Sequence, residues 1–466
     1  MSPIPVRTCK AIGLLTLCVS LLVLVRELGL SESLSPLMYA LLLLLVLLLS
    51  FHVAMSRRVF VLVALLLSLM NIVWNEHWQA TLESALFNAC FITAFFSALT
   101  TLKFVAASSP AIRRCGQFLS QQPPGRRYLA LSIGGQLFGL LLNYGAIQLL
   151  GAMSLANISR EPNDEIRRHR TRRILLAIQR GFISILPWSP FSFAILISTT
   201  LVPGASWTQA ALPGLVNGTI LVGLGWLLDQ LFKPKLATPV PARPTDQGSW
   251  WSLLPLLFLL LLLALILGVS HLLTGVRVLV LVMLVIPLLS IAWIAVQTAK
   301  HNPLRQVRRR VSNYLMVQLA GIRSEMVLLM MAGYLGTVAS PLLGAGMQQM
   351  GFDLSDMPAW AILVLIVWLL PIAGQVGMNP ILVAGVVAPL LPEATTLGIT
   401  PSAIVTALTA GWILSGISSP FTATTLLVGN FAGVSSAHVG QRWNGIFTLL
   451  CGCILSLWVI LYSTQS

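Results

Sequence analysis

Charge is what this chain has least of. Only 9% of its 466 residues are Asp, Glu, Lys or Arg, against roughly 25% in soluble chains. Water could not solvate such a sequence, which excludes a cytosolic enzyme, a secreted disulfide scaffold and a disordered protein. Acids are the scarcer sign, 13 against 28 Lys and Arg. The six His include no H-x-x-x-H pair, and the six Cys (Cys9, Cys18, Cys90, Cys115, Cys451, Cys453) include no C-x-x-C pair, so neither a metal nor a redox centre has support. No G-x-x-x-x-G-K-[ST] loop occurs, so ATP-driven pumping would need another subunit.

What is there is hydrophobic: 57% of the residues. A bilayer core takes about 20 apolar residues per helix. Runs meeting that test lie near 11–28, 37–55, 58–74, 83–103, 207–232, 251–272, 276–297 and 444–463. The first run is followed by Arg26-Glu27 rather than a small-residue cleavage site, so it reads as a retained helix and not a signal peptide. Five other stretches, 128–153, 174–202, 313–343, 358–392 and 401–434, carry Gly, Pro, Asn and Ser in their middles. Broken backbone at membrane depth is tolerated only where protein or a water-filled cavity covers it, so these are the candidate working parts.

Positive charge orients the chain. With a cytoplasmic N-terminus, all of the 28 Lys and Arg except Arg26, Arg180, Arg277 and Arg323 fall inside, in Arg57-Arg58, the 103–127, 159–173 and 300–310 loops, Lys233, Lys235, Arg243 and Arg442. This accounts for the net charge of +15 and leaves no basic fold for nucleic acid. Basic loops on both sides require 128–153 to enter and leave from the cytoplasm as a re-entrant hairpin. The segment 174–202 then crosses once, broken at Pro187–Pro190. By the same logic 359–392 is a hairpin from the outer side, flanked by Asp353, Asp356 and Glu393, and 401–434 crosses once with a break near Ser418–Phe421. The C-terminus is periplasmic or extracellular.

The expected organisation is an extra helix in 1–36, a first repeat in 37–232, a Pro-rich cytoplasmic linker in 233–250 and a second repeat in 251–466. Five crossings per half is an odd number, so the halves are inverted. The residues echo the layout: Gly135-Gln136…Asn143 against Gly374-Gln375…Asn379, and Ser189-Pro190-Phe191-Ser192 against Ser419-Pro420-Phe421-Thr422. Inverted repeats with discontinuous helices mark secondary transporters with a midplane site, where half-helix N–H ends attract anions and C=O ends attract cations.

In this layout, over about 37–463, the chain resembles the ion transporter superfamily, and within it the divalent anion/sodium symporter family. That family has about eleven helices, two opposed hairpins with a Ser-Asn-Thr tip motif, and Pro-containing breaks in its fifth and tenth helices. The tips here read Leu142-Asn143-Tyr144 and Met378-Asn379-Pro380, which keep the Asn and lack both hydroxyls, and the breaks read Ser-Pro-Phe rather than Thr-Pro-Pro. The resemblance implies an all-α polytopic membrane protein of about eleven transmembrane helices plus two re-entrant hairpins, an elevator mechanism on a scaffold of 37–105 and 251–343, and a homodimer. Substrate ligands would be Asn143, Asn379, Ser189, Ser192, Ser419 and Thr422, and ion ligands Asn143, Asn379, Gly377 and Ser418.

Each candidate has a plainer alternative. The Asn residues could cap helices, and the hydroxyls, Thr424 and Thr425 among them, could satisfy backbone freed by the prolines. Gln136 and Gln375 read as structural, and Gly135, Gly374, Gly377, Gly411 and Gly416 as packing residues. Arg180 and Arg323 could each neutralise an anionic substrate, and Glu325 could carry a proton; the plainer reading has Arg180 snorkel to the cytoplasmic surface and Arg323, with Glu325 nearby, mark a helix start at the interface. The expected function is secondary transport of a small anion or organic acid across the inner membrane, with sodium or a proton as coupling ion and no other cofactor. The alternatives are the membrane subunit of a binding-protein-dependent carrier, or a non-transporting membrane enzyme or assembly factor.

Overall fold

The computed structural model describes residues 5–158, 163–232, 249–299, 302–349 and 354–465. The linker up to residue 248, with Lys233, Lys235 and Arg243, lies outside the described residues, as do 159–162, Lys300, His301 and Asp353. Among the described residues there is no strand. The helices are α1 (Val6–Glu27), α2 (Ser35–Ser50), α3 (Met55–Trp74), α4 (Trp78–Ala107), α5 (Pro110–Ser120), α6 (Pro124–Leu142), α7 (Gly145–Ile158), α8 (Asp164–Ile183), α9 (Phe193–Leu201), α10 (Trp207–Leu231), α11 (Leu254–Thr274), α12 (Val278–Gln297), α13 (Pro303–Asn313), α14 (Leu319–Gly321), α15 (Arg323–Gln349), α16 (Ala359–Gln375), α17 (Pro380–Val387), α18 (Pro401–Ser418), α19 (Ala423–Ala432) and α20 (Gly445–Gln465). Nine helices among the described residues are long and apolar enough to span a bilayer.

Three basic segments expected to be loops are helical. The 103–127 segment holds the end of α4, all of α5 and the start of α6; 164–173 is the first half of α8; and 303–310 is most of α13. Local chemistry explains each start. Pro stands in the first turn of α5 and α13, where its missing N–H costs nothing. Asn163 caps α8, its Oδ1 accepting from the N–H groups of Glu165 (2.9 Å) and Ile166 (3.2 Å). Long basic side chains are good helix formers, so orientation-setting charge and helical structure coexist.

The chain divides into two compact units that cut across its halves. Unit 1 comprises 1–105, 266–356 and 381–392; unit 2 comprises 106–265, 357–380 and 393–466. In unit 1, α3 packs along α15, where Asn71 Nδ2 donates to the Val338 carbonyl (2.6 Å) and the hydroxyls of Ser68 and Tyr334 meet at 2.8 Å. Between α13 and α14 the chain makes a π-helical turn, Tyr314–Gln318, and α1 crosses it at Gly13, where a Cβ would lie 1.9 Å from the Leu315 carbonyl oxygen. As expected, Arg323 opens α15; its Nε donates to the His52 carbonyl (2.8 Å).

In unit 2, α18 is the central helix. Every residue from Ser402 to Ser418 is buried, as an all-round apolar helix requires. It packs on α16 at Gly411, where a Cβ would come 2.8 Å from the Ile366 carbonyl oxygen. The matching pair, α6 and α8, approaches closer still: a Cβ on Gly181 would sit 2.1 Å from the Ser132 carbonyl oxygen. These contacts set the breaks of α8/α9 and α18/α19 against the helices α6 and α16.

Candidate functional site

Both breaks form where the sequence places a Ser-Pro pair. Pro420 lacks an N–H and biases Ser419 away from helical backbone, and Ser419 is extended at φ −69°, ψ 130°. The freed backbone is re-wired by hydroxyls in the same pattern twice. Ser189 Oγ accepts from the Phe191 N–H (3.1 Å), and Ser419 Oγ accepts from the Phe421 N–H (3.2 Å). Three residues on, Ser192 Oγ donates to the Leu186 carbonyl (2.6 Å) and Thr422 Oγ1 to the Gly416 carbonyl (3.2 Å), each six residues back. Ser192 also caps α9 by accepting from the Ile195 N–H (3.2 Å). Thr422 lies within 3.2 Å of Thr424 Oγ1 and 3.0 Å of Thr425 Oγ1, and Thr424 also bonds the Gly416 carbonyl.

The two wirings also differ in the fate of one hydroxyl proton. Ser419 Oγ donates across to the Gly374 carbonyl on α16 (2.6 Å). Ser189 is fully buried and its hydroxyl proton has no acceptor among the described residues. The glutamines again match: Gln136 Nε2 of α6 donates to Ser184 Oγ (2.8 Å) and Gln375 Nε2 of α16 to Ser418 Oγ (3.3 Å), each bonding the helix end that precedes a break. Gln375 Oε1 further accepts from Gln441 Nε2 (3.2 Å).

Asn143 ends α6 with φ 51°, ψ −134°, a conformation that Asn and Gly tolerate better than other residues. Its Oδ1 accepts from the Tyr144 N–H (2.8 Å), so all its described hydrogen bonds lie within its own tip. Asn379 is half-buried at the second tip, between Gly377 (φ 92°) and Pro380, which opens α17.

Arg180 overturns the surface reading. It is 5% exposed. Its Nε and Nη2 donate to Asn444 Oδ1 (3.1 and 3.0 Å), its Nη1 to Tyr128 Oη (3.3 Å), and its guanidinium stands 3.9 Å from the Phe447 ring centre. Among the described residues no carboxylate lies within ion-pair distance of it. Asn444 in turn donates to Gln179 Oε1 (3.2 Å), the Val439 carbonyl (3.2 Å) and the Ile417 carbonyl (3.5 Å). The Asn444 amide thus ties the start of α20 to α8 and α18, and Arg180 extends the network to Tyr128 of α6. Arg180 does not snorkel because the close approach of α6 and α8 directs it inward, where Gly225 of α10 leaves space for it: a Cβ there would meet Tyr128 Oη at 2.6 Å. Outside this network Arg173 makes a bidentate pair with Asp229 (2.7 and 2.6 Å).

Sequence reasoning missed Asn444, Tyr128, Gln179 and Trp188. Trp188 carries a readable signal, an indole between Pro187 and Pro190 in a break. Its Nε1, like Gln179 Nε2, is buried with no hydrogen-bond partner among the described residues. The interior of the first broken helix therefore offers a cation and surplus N–H donors, and no acid. Among the described residues no group of His, Cys, Asp and Glu could hold a metal ion.

By fold the chain is similar to the YdaH transporter of Alcanivorax borkumensis, at 17% identity and a TM-score of 0.56 over 88% of this chain and 97% of that one. It is also similar to MtrF of Neisseria gonorrhoeae, described with a class of antimetabolite efflux pumps, at 10% identity and a TM-score of 0.51 over 88% of this chain and 96% of that one. No family model and no curated sequence matches the chain. The likeness establishes the fold: an all-helical, multi-pass membrane architecture shared with transporters.

Proposed function

We propose that this chain is a secondary transporter of a small anion or organic acid, working by an elevator motion in which unit 2 carries the cargo and unit 1 is the scaffold. The observation that carries the proposal is the repeated wiring of the two Ser-Pro-Phe breaks, each paired with a hairpin arm inside unit 2. Two copies of one broken-helix device, drawn from opposite halves of the chain, are what an inverted repeat would deliver to a single site. The transporter fold of its structural relatives supports the same reading.

Anionic cargo follows from the charge balance of unit 2. Arg180 is a buried cation with neutral partners, and Gln179 Nε2, Trp188 Nε1 and the Ser189 hydroxyl proton lack acceptors. Buried donors without acceptors are costly, and an oxyanion would satisfy them. The proposed substrate ligands are the Asn143 and Asn379 carboxamides, Ser189, and the backbone N–H groups at Ser419 and in the first turns of α9 and α19, which open after Ser192 and Thr422. Carbonyls around Gly377 and Ser418, with the two Asn, are the assigned ligands of the coupling ion, sodium or a proton. The chain sits in the inner membrane as a dimer, with its N-terminus cytoplasmic and its C-terminus outside. The dicarboxylate substrates of the divalent anion/sodium symporters fit less well, because both tips lack that family's hydroxyls.

The test is uptake or efflux of a panel of organic acids and oxyanions by proteoliposomes, with imposed sodium or proton gradients. Thermal protection by the same compounds is measured alongside, since a ligand of the folded state alone raises its melting temperature. Asn143→Gly keeps the tip backbone and removes the carboxamide; it is expected to fold normally and to lose binding. If no acid or oxyanion moves or protects while the protein stays folded, the proposal fails, and co-purification of partners tests the carrier-subunit alternative.

A further inference from the structure

A second place in the molecule is shaped for a ligand, and it lies wholly within unit 1. A cavity of about 290 Å³ opens between α1, α4, α12 and the π-helical turn after α13. That volume is near the small end of ligand sites. Its polar lining is closed on itself: Ser20 Oγ meets Ser97 Oγ at 3.0 Å, Thr101 Oγ1 meets Ser290 Oγ at 3.2 Å, and Tyr314 Oη donates to the Ser97 carbonyl at 2.6 Å. A water or polar solute would find few free partners, so the cavity is dry by its chemistry. Its lips are apolar and outward-facing: Leu21 is 53% and Leu288 58% exposed, on two helices long and apolar enough to span the bilayer. In a membrane such an opening faces acyl chains.

One cation lines the cavity, Arg310, whose Nη1 donates to Gln297 Oε1 at 3.1 Å. It stands in the last turn of α13, which carries Arg305, Arg308, Arg309 and Arg310, contains no acid and buries none of its residues. Leu304 on the same helix is 84% exposed. A short basic helix with an uncovered apolar residue is the pattern of an element lying in the headgroup layer. The apolar cavity and the basic helix therefore meet at Arg310.

We propose that this cavity holds one acyl chain of an anionic phospholipid, with the phosphate of that lipid on the arginines of α13. The dry lining selects hydrocarbon, and the four arginines select the negative headgroup. The inference uses unit 1 alone and does not depend on what unit 2 carries.

The test uses the full chain, delipidated in detergent, with phosphatidylglycerol, phosphatidylcholine of the same chains, and glycerol phosphate as probes. Binding is read by native mass spectrometry and by the shift in melting temperature. Phosphatidylglycerol is expected to bind and protect, phosphatidylcholine to do so more weakly, and glycerol phosphate not at all. Arg310→Gln should weaken phosphatidylglycerol about fivefold, the worth of one basic residue beside an anionic lipid, while Arg113→Gln, an exposed arginine of α5, should change nothing. Ala98→Phe fills the cavity and Leu288→Trp covers its mouth from an exposed position; either should abolish retention of both lipids. Equal binding of the two lipids, equal effects of the two arginine variants, or unchanged retention in a folded Leu288→Trp protein would each overturn the proposal.

Discussion

Removing the Asn444 side chain should be among the most damaging single changes in unit 2, and the damage should be reversible by a second change. Asn444 Oδ1 accepts two charge-assisted hydrogen bonds from Arg180, which is 5% exposed. Asn444→Ala leaves a buried guanidinium with the Tyr128 hydroxyl and the Phe447 ring as its remaining partners. Breaking one side of a buried charged interaction costs about 3–5 kcal/mol, or roughly a hundredfold to several thousandfold in the unfolding equilibrium. Arg180→Met removes the charge and keeps most of the volume against Phe447, so only hydrogen bonds are lost, at about 1–3 kcal/mol. The double variant Arg180→Met/Asn444→Leu has no buried charge to solvate and should cost less than the sum of the singles by about 2–3 kcal/mol. Reversible denaturation in mixed micelles, followed by fluorescence of the 13 Trp, gives all three values. Costs that add to within about 0.5 kcal/mol would refute the reasoning.

The glycines that set the unit 2 packing give a paired test. Gly181→Ala places a Cβ 2.1 Å from the Ser132 carbonyl oxygen and should cost at least the ~1–3 kcal/mol of overpacking, whereas Gly223→Ala, with nothing within 4 Å and lying inside α10, should stabilise by up to ~1 kcal/mol. Melting temperatures that move together would refute it. Asp229→Asn should destabilise by ~1–3 kcal/mol, because it leaves Arg173 without its bidentate partner; the same variant paired with Arg173→Gln should recover most of the loss, measured by the same unfolding assay.

Much of the architecture was legible because the bilayer imposes length and satisfaction rules on any sequence. The break placed at Pro187–Pro190 falls within the observed non-helical segment 184–192, and the one near Ser418–Phe421 meets the observed 419–422, since Pro removes an N–H wherever it falls. The rest has a shared physical cause: the pattern of Lys and Arg orients a chain in the membrane without encoding what each cation bonds. The Arg-rich segments counted as loops are helices α5, α8 and α13, because solvated charge does not oppose helix formation. Arg180 was sent to the surface because Arg173 stands two turns away. Its real partner, Asn444, is 264 residues distant in sequence, a separation no local pattern encodes. The hydroxyls at the breaks do mostly backbone repair: Ser192, Ser419 and Thr422 spend their protons on carbonyls.

That expenditure makes the two breaks unequal, and the inequality is measurable. Ser419 donates to the Gly374 carbonyl across the interface of α18 and α16, while Ser189 holds its proton without an acceptor. Two of the three unpartnered buried N–H donors in unit 2, on Gln179 and Trp188, also lie on the first broken helix; the third, on Trp458, belongs to α20. If donors waiting for an acceptor recognise the cargo, Ser189→Ala should weaken ligand binding by about tenfold, one lost hydrogen bond to a charged group, with a smaller loss of stability. Ser419→Ala should do the reverse, costing about 1–3 kcal/mol of stability as a buried carbonyl loses its donor, with affinity nearly unchanged once the protein is folded. Affinity taken from ligand-dependent melting curves separates the two effects in one experiment. Equal losses of affinity in the two variants would mean that the breaks bind cargo symmetrically, and the surplus donors of the first broken helix would then need another explanation.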